Sequence, residues 1–345
     1  MTTITTTTTG ATRVHQLSQD DITAAAERVS GRVRPVLLTP WEEFAEPDRG
    51  DDGGIWLALE FLQHTGSFKD RGALNFLRAH QEAGALPEAG VTIASGGNAG
   101  LACAWAAREQ GVRATVFVPV GAPEVKVRRL RGLGAEVRQV GTEYAEALAA
   151  CEEYAASSGA LASHAYDHPL VAAGAGTLLE EIHRQLPDLD TVVVAVGGGG
   201  LFAGVATAAV HRGIRAVGVE PEHSRALHAA IGAGRPVDVP VRSVAADSLG
   251  ARRSTAMAVA AARQEGASCV LVPDEEIVRA RRSLWERRRI AVEHGAATAL
   301  AALTAAGAGT GTGAGSAGAG HGYRPGPGEK VCVVLCGANT DPSDL

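Results

Sequence analysis

From residue 90 onward, short β-rich runs alternate with helical ones, and no other feature restricts the fold as strongly. Val91–Ala94 leads to Ala99–Gln110, Ala114–Pro119 to Glu124–Leu133, and Glu136–Val140 to Thr142–Ala156. Thr191–Val196 then leads to Ala203–Arg212, Ala216–Glu220 to His223–Ile231, and Cys269–Pro273 to Glu275–Arg289, before a final run at Val331–Leu335. Alternation of this kind predicts an α/β fold of parallel sheets covered by helices. Two stretches stand outside it. Residues 1–14 read as a loose tail, and 307–328 is nearly all glycine and alanine with Pro325 and Pro327. Such a segment cannot pack a face, so it is expected to be a flexible surface insertion ahead of the last strand.

Composition removes several classes of function. A net charge of −6 without a basic block gives no support to a nucleic-acid or anionic-membrane role. The threonine-rich start has neither a basic nor an apolar region, so no signal peptide is expected, and no uninterrupted apolar stretch would span a bilayer. The five cysteines, Cys103, Cys151, Cys269, Cys332 and Cys336, are odd in number and lack Cys-x-x-Cys spacing. Free thiols in a reducing cytoplasm fit better than a disulfide framework or a zinc ribbon. No regulatory domain is expected after Leu345.

The chemistry is expected in loops that follow strands, where ligands of open α/β sheets gather. Lysine is rare: of 32 Lys+Arg, only Lys69, Lys126 and Lys330 are lysines. A lysine kept against that bias is a candidate amine. Lys69 stands in Thr65-Gly66-Ser67-Phe68-Lys69-Asp70-Arg71-Gly72, after the apolar Ile55–Phe61 and before a helix-like run, Ala73–Ala83. Ser67 with Asp70 matches a capping signal, which predicts a helix start with Lys69 in its first turn. The positive field of that end would disfavour the ammonium and make the nucleophilic amine more accessible.

Three further loops could meet this lysine. Ser95-Gly96-Gly97-Asn98-Ala99-Gly100 follows a strand and offers backbone N–H donors, a hydroxyl and an amide, suited to a carboxylate and a phenolic or carbonyl oxygen. Gly197-Gly198-Gly199-Gly200-Leu201 lies between a buried strand and a helix, where successive N–H groups can hold one phosphate. It also fits a relaxed dinucleotide fingerprint, with Glu220 where a ribose-binding acid would sit. Cys336-Gly337-Ala338-Asn339 follows the last strand, and its thiol could face a neutral ring nitrogen or simply fill the core.

Taken together these loops resemble the fold-type II pyridoxal-phosphate enzymes, specifically the serine/threonine dehydratase (ammonia-lyase) branch. Gln63 through Ala73 is similar to that family's Q-x-T-G-S-F-K-x-R-G-A motif, and Ser95–Gly100 to its S-x-G-N loop. Gly197–Leu201 is similar to its tetraglycine phosphate loop. Ile290–Ala296 resembles its I-x-V-E-x-x-G-A segment, and Leu335–Asp341 its terminal S/C-G-G-N-x-D. The motifs occur in family order and cover about residues 30–341.

The resemblance implies a tryptophan synthase β-like fold, with two open, twisted, mostly parallel sheets and helices on both faces. It implies a large cofactor-binding domain (15–89 with 167–345), a small domain (90–166) and a homodimer. Lys69 would carry pyridoxal 5'-phosphate as a Schiff base and act on the Cα proton, next to Phe68. Asn98 would bond the cofactor's phenolic oxygen, and Gly197, Gly198, Gly199, Gly200 and Leu201 would hold the phosphate. Cys336, a neutral thiol, would face the pyridine nitrogen. Ser95, Gly96, Gly97, Asn98 and Ala99 would receive the substrate carboxylate, and Glu293 would orient the substrate or the Asn339 region. Read alone, Glu293 is equally a solvated helix start.

Departures from the pattern narrow the chemistry. Racemases of the family carry a serine just before the Gly-Asn pair to protonate the opposite face, and Gly96 stands there instead. Ala99 replaces a histidine, Ala338 a glycine, and Asp247-Ser248 an Asp-Gly pair. A cation site at Glu220 would need a second acid where Ala226 stands, so no metal is expected. The implied reaction is deamination of L-serine or L-threonine to a 2-oxo acid and ammonia. β-Replacement, or another hydroxy-amino-acid lyase activity on the same cofactor, is the nearest alternative. An NAD-dependent oxidoreductase is the alternative from another class, and it leaves the Lys69 and Cys336 loops unexplained.

Overall fold

The computed structural model describes residues 16–41, 53–308, 322–341 and 343. Ten strands are present among them: β1 (Leu38–Pro40), β2 (Gly54–Ala58), β3 (Val91–Ala94), β4 (Ala114–Val118), β5 (Glu136–Gln139) and β6 (Leu161–Ala162). They continue with β7 (Thr191–Ala195), β8 (Arg215–Pro221), β9 (Ala267–Val272) and β10 (Lys330–Val334). The helices are α1 (Gln19–Val29), α2 (Lys69–Glu82), α3 (Asn98–Glu109), α4 (Glu124–Gly132), α5 (Tyr144–Ser158) and α6 (Pro169–Gln185). After them come α7 (Gly200–His211), α8 (Ala226–Ala233), α9 (Ala246–Leu249), α10 (Ala256–Ala262), α11 (Asp274–Arg288) and α12 (His294–Ala308).

The strands form two sheets. One has six strands in the order β1-β2-β10-β7-β8-β9, the other four in the order β5-β4-β3-β6. Every pairing is parallel except β1 with β2. β7 is buried along its whole length and all but the first residue of β10 is buried, as expected of central parallel strands covered on both faces. The last strand in the chain, β10, therefore lies between β2 and β7, which brings the segments after β2, β7 and β10 to the same end of the sheet.

Close helix packing sets the position of α2. A side chain at Gly72 would meet the Val171 carbonyl oxygen at 2.6 Å, and one at Gly174 the Arg71 carbonyl oxygen at 2.5 Å, so α2 and α6 touch backbone to backbone. Within that contact the fully buried Arg71 guanidinium is paired with Glu60 (2.6 Å) and Glu181 (2.7 Å). Removing one partner would leave a buried charge uncompensated. The apolar face of α2 (Leu74, Phe76, Leu77) packs into the core around the four-stranded sheet, so this helix ties the two sheets together.

Most of the expected insertion at 307–328 lies outside the described residues. Its last part is packed: Tyr323 donates its N–H to the Ala302 carbonyl (2.7 Å), and its hydroxyl accepts from Arg215 (2.9 Å) and bonds Glu329. The returning chain is thus anchored against the core before β10 begins. The expected tail, 1–14, lies outside the described residues.

Candidate active site

The helix that begins at Lys69 starts without a side-chain cap. Its N-cap is Phe68, and the expected Ser67–Asp70 capping pair does not form. Two other demands override it. Ser67 forms an isolated bridge with Gly337 in the loop after β10, and its hydroxyl is buried with no partner among the described residues. The Asp70 carboxylate is taken by Thr65, which donates its N–H (2.8 Å) and its hydroxyl. Burial lifts the Asp70 carboxyl to about 7, against these two hydrogen bonds.

Lys69 occupies the first position of α2, as expected. Its ammonium donates to the Ala165 carbonyl oxygen at 2.8 Å and lies 4.7 Å from the centre of the Phe68 ring. Its pKa is lowered from 10.5 to about 8, and the largest cause is burial, opposed by the negative charges that Cys336 and Glu293 can carry. Desolvation, rather than the helix-end field alone, makes the neutral amine accessible. Lys126 and Lys330 are instead ion-paired, with Asp247 (3.0 Å) and Asp188 respectively.

The loop after β10 lies against this helix start. Phe68 donates its N–H to the Cys336 carbonyl (3.0 Å), and Ala338 donates to the Gly66 carbonyl (2.9 Å). The Cys336 thiol is buried and pushed up to about 12, chiefly by desolvation and then by Glu293, so it is neutral near pH 7.

Glu293 is buried, not solvated. It accepts from the Asn98 amide (2.9 and 3.1 Å) and from the Asn339 N–H (2.9 Å). Asn339 in turn donates to the Asn98 side-chain oxygen (2.6 Å) and to the Thr65 carbonyl (2.8 Å), and accepts from Arg129 (2.5 Å). Burial raises the Glu293 pKa, opposed by bonds from Asn98, Asn339 and Ser248. This network joins the Ser95–Gly100, Lys69 and Cys336 loops. Ser95 accepts the Gly97 N–H at 3.3 Å, half-buried, and Gly97 caps α3 without a side chain, so the N–H groups of Asn98, Ala99 and Gly100 have no intrahelical acceptor.

The tetraglycine loop packs on Tyr166, the neighbour of Ala165. Gly199 caps α7 at φ 96°, a left-handed conformation that favours glycine, and no side chain caps that helix. A side chain at Gly198 would run into the Tyr166 ring, one at Gly199 would meet the Ala258 methyl at 2.5 Å, and one at Gly200 the Tyr166 carbonyl at 2.7 Å. Gly197 packs against Leu249, and Leu201 is buried beneath the loop. The result is a surface of backbone N–H groups at a positive helix end, built for an anion.

Tyr166 and Ala165 were not foreseen, yet they join the two halves: adjacent residues, one packed on Gly198 and the other bonded to Lys69. Their only local signal is β6, two residues long. Gly96 and Gly97 remain half-buried, with Val118 3.3 Å from where a Gly96 side chain would start. Glu220 is committed within the fold. Both its oxygens accept N–H groups at the start of α8, from Leu227 (2.7 Å) and His228 (2.8 Å), and it is fully buried. That removes the acid on which the nicotinamide reading depended.

The residues present fit pyridoxal phosphate: a partly desolvated amine, a side-chain-free anion cradle, an amide and a neutral thiol. The family profile described as "PALP: Pyridoxal-phosphate dependent enzyme" matches residues 30–337. The chain is 39% identical to an L-threonine ammonia-lyase of Geobacter sulfurreducens over 82% of this chain and 69% of that protein. In structure it resembles a T.th. threonine deaminase (TM-score 0.78, 30% identity, 94% of this chain and 99% of that one). It also resembles a pyridoxal 5'-phosphate-dependent aspartate racemase (TM-score 0.80, 29% identity, 95% and 98%). A chain with these loops on this pair of sheets, matched over residues 30–337, belongs to the pyridoxal-phosphate-dependent enzymes.

Proposed function

We propose that the protein deaminates L-threonine or L-serine to a 2-oxo acid and ammonia, with its cofactor attached to Lys69. The observation that carries this reading is the Lys69 amine itself: half-buried, bonded to a neutral carbonyl, with a pKa lowered to about 8. Pyridoxal phosphate, when bound, withdraws electrons from an attached amino acid and so acidifies its Cα–H. The Lys69 amine, when free of the cofactor, would take that proton, since a pKa lowered to about 8 is well matched to proton transfer near neutral pH. The N–H groups at the start of α3 and the Ser95 hydroxyl hold the substrate carboxylate, and Asn98, steadied by Glu293 and Asn339, supplies an amide to the cofactor's phenolic oxygen. The neutral Cys336 thiol would face the ring nitrogen without adding charge. Gly197, Gly198, Gly199, Gly200 and Leu201 hold the phosphate.

Elimination is favoured over racemisation because Gly96 has no side chain with which to protonate the opposite face. The names of the ammonia-lyase relatives support the same choice. Division into a large unit (15–89 with 167–345) and a small one (90–166), a homodimer and a cytoplasmic setting belong to the same proposal. Among the described residues no helix is long and apolar enough to cross a membrane, and the five cysteines are free. The test is to incubate the holoenzyme with L-threonine and L-serine, with and without a thiol nucleophile. Ammonia and 2-oxo acid in equal amounts are expected. A thioether product would favour β-replacement, and D-amino acid as the main product would favour racemisation.

A further inference from the structure

Ser254 stands against the tetraglycine loop. It is 2% exposed, and its hydroxyl has no hydrogen-bond partner among those residues. The oxygen lies 3.0 Å from the point where a side chain on Gly199, the N-cap of α7, would begin. The surrounding chain is fixed. Thr255 donates its N–H to the Gly198 carbonyl (3.0 Å), and its hydroxyl accepts the Ala258 N–H (2.9 Å) as the cap of α10. Thr255 is therefore committed to holding the loop, whereas the adjacent Ser254 hydroxyl is held against it with nothing to bond. A buried hydroxyl left unpaired is costly, and such groups recur where a ligand completes the site.

We propose that Ser254 is a side-chain ligand of the cofactor phosphate, donating its hydroxyl hydrogen to a phosphate oxygen alongside the N–H groups of the tetraglycine loop. This rests on the reading of that loop as the phosphate cradle. The backbone supplies donors fixed by the helix end, and the hydroxyl adds a charge-assisted bond from the α10 side. The cradle thus becomes a clamp between α7 and α10.

The test compares pyridoxal phosphate with pyridoxal, which lacks the phosphate, on the apoprotein of wild type, Ser254→Ala and Ser254→Gly. Dissociation constants are read from absorbance titrations, with no turnover involved. Wild type should bind pyridoxal phosphate far more tightly than pyridoxal. Both variants should weaken pyridoxal phosphate about 10- to 100-fold, as loss of one hydrogen bond to a charged group implies, and leave pyridoxal unchanged. The apoprotein melting temperature should stay level or rise, because an unpaired buried hydroxyl has been removed. A twofold or smaller change for pyridoxal phosphate, or an equal loss for both ligands, overturns the role of Ser254 alone. A wild type that does not distinguish the two ligands overturns the phosphate cradle, and the inference with it.

Discussion

The backbone N–H of Phe68 donates to the carbonyl oxygen of Cys336 at 3.0 Å, so the residue before Lys69 is tied to the loop that ends the last strand. The lysine and the thiol are held by one backbone contact, and each affects the other's charge: a Cys336 thiolate would raise the Lys69 pKa, and Lys69 lowers that of Cys336.

Substitution at Cys336 tests what that thiol does. Cys336→Ser keeps a small neutral group and should retain activity. Cys336→Asp places a carboxylate in a buried site already shared with Glu293, which should cost about 1–3 kcal/mol of stability. If the thiol faces the ring nitrogen, the Asp variant should also slow elimination and increase side transamination on the folded fraction. Lower stability with an unchanged product ratio would leave Cys336 a packing residue.

Glu293→Gln removes one acceptor from a buried network that holds Asn98 and Asn339. Leaving a buried donor unpaired should lower unfolding stability by about 1–3 kcal/mol, read from urea denaturation of the apoprotein. The same variant should lower kcat/KM, because Asn98 loses its anchor. An Asn98→Ala, Glu293→Gln double variant should then lose less than the sum of the two. Strict additivity would mean that the bond between them does not matter.

Asp70 gives the apoprotein a specific pH dependence. Its pKa is lifted from 3.8 to about 7 in the fold, so the folded state holds that proton more tightly than the unfolded chain. The stabilisation is complete below pH ~4 and is lost as pH rises through ~7. Urea midpoints of wild type should therefore fall between about pH 4 and 7 relative to Asp70→Asn and run parallel to it above that range. Curves parallel throughout would mean that Asp70 ionises normally.

Much of this architecture was legible from sequence because its cause is local. β3 was bounded correctly, and β4, β7 and β10 to within a residue or two, since buried parallel strands are short apolar runs between glycines and turns. The glycine loops were legible for the same reason: a backbone anion site needs residues without side chains. What failed depended on partners outside the local motif, most of them far away in the chain. Ser67 and Asp70 spell a cap, but Gly337 and Thr65 claim them first. Glu293 read alone is a solvated helix start, and only the fold brings Asn98 and Asn339 to it. Ala165 acts through a carbonyl oxygen, which carries no residue-type signal at all.

The most direct test of the account is chemical labelling of the lysine. The chain has three; Lys126 and Lys330 are ion-paired with Asp247 and Asp188, whereas Lys69 hydrogen-bonds a neutral carbonyl and lies over the Phe68 ring. Borohydride reduction of the holoenzyme, followed by peptide mass mapping, should fix the pyridoxyl group on the peptide containing Lys69. Lys69→Ala should fold with stability changed by under ~1 kcal/mol, since alanine is a good helix former, and should carry no label. A reduced pyridoxyl group on Lys126 or Lys330 of wild type would contradict the assignment.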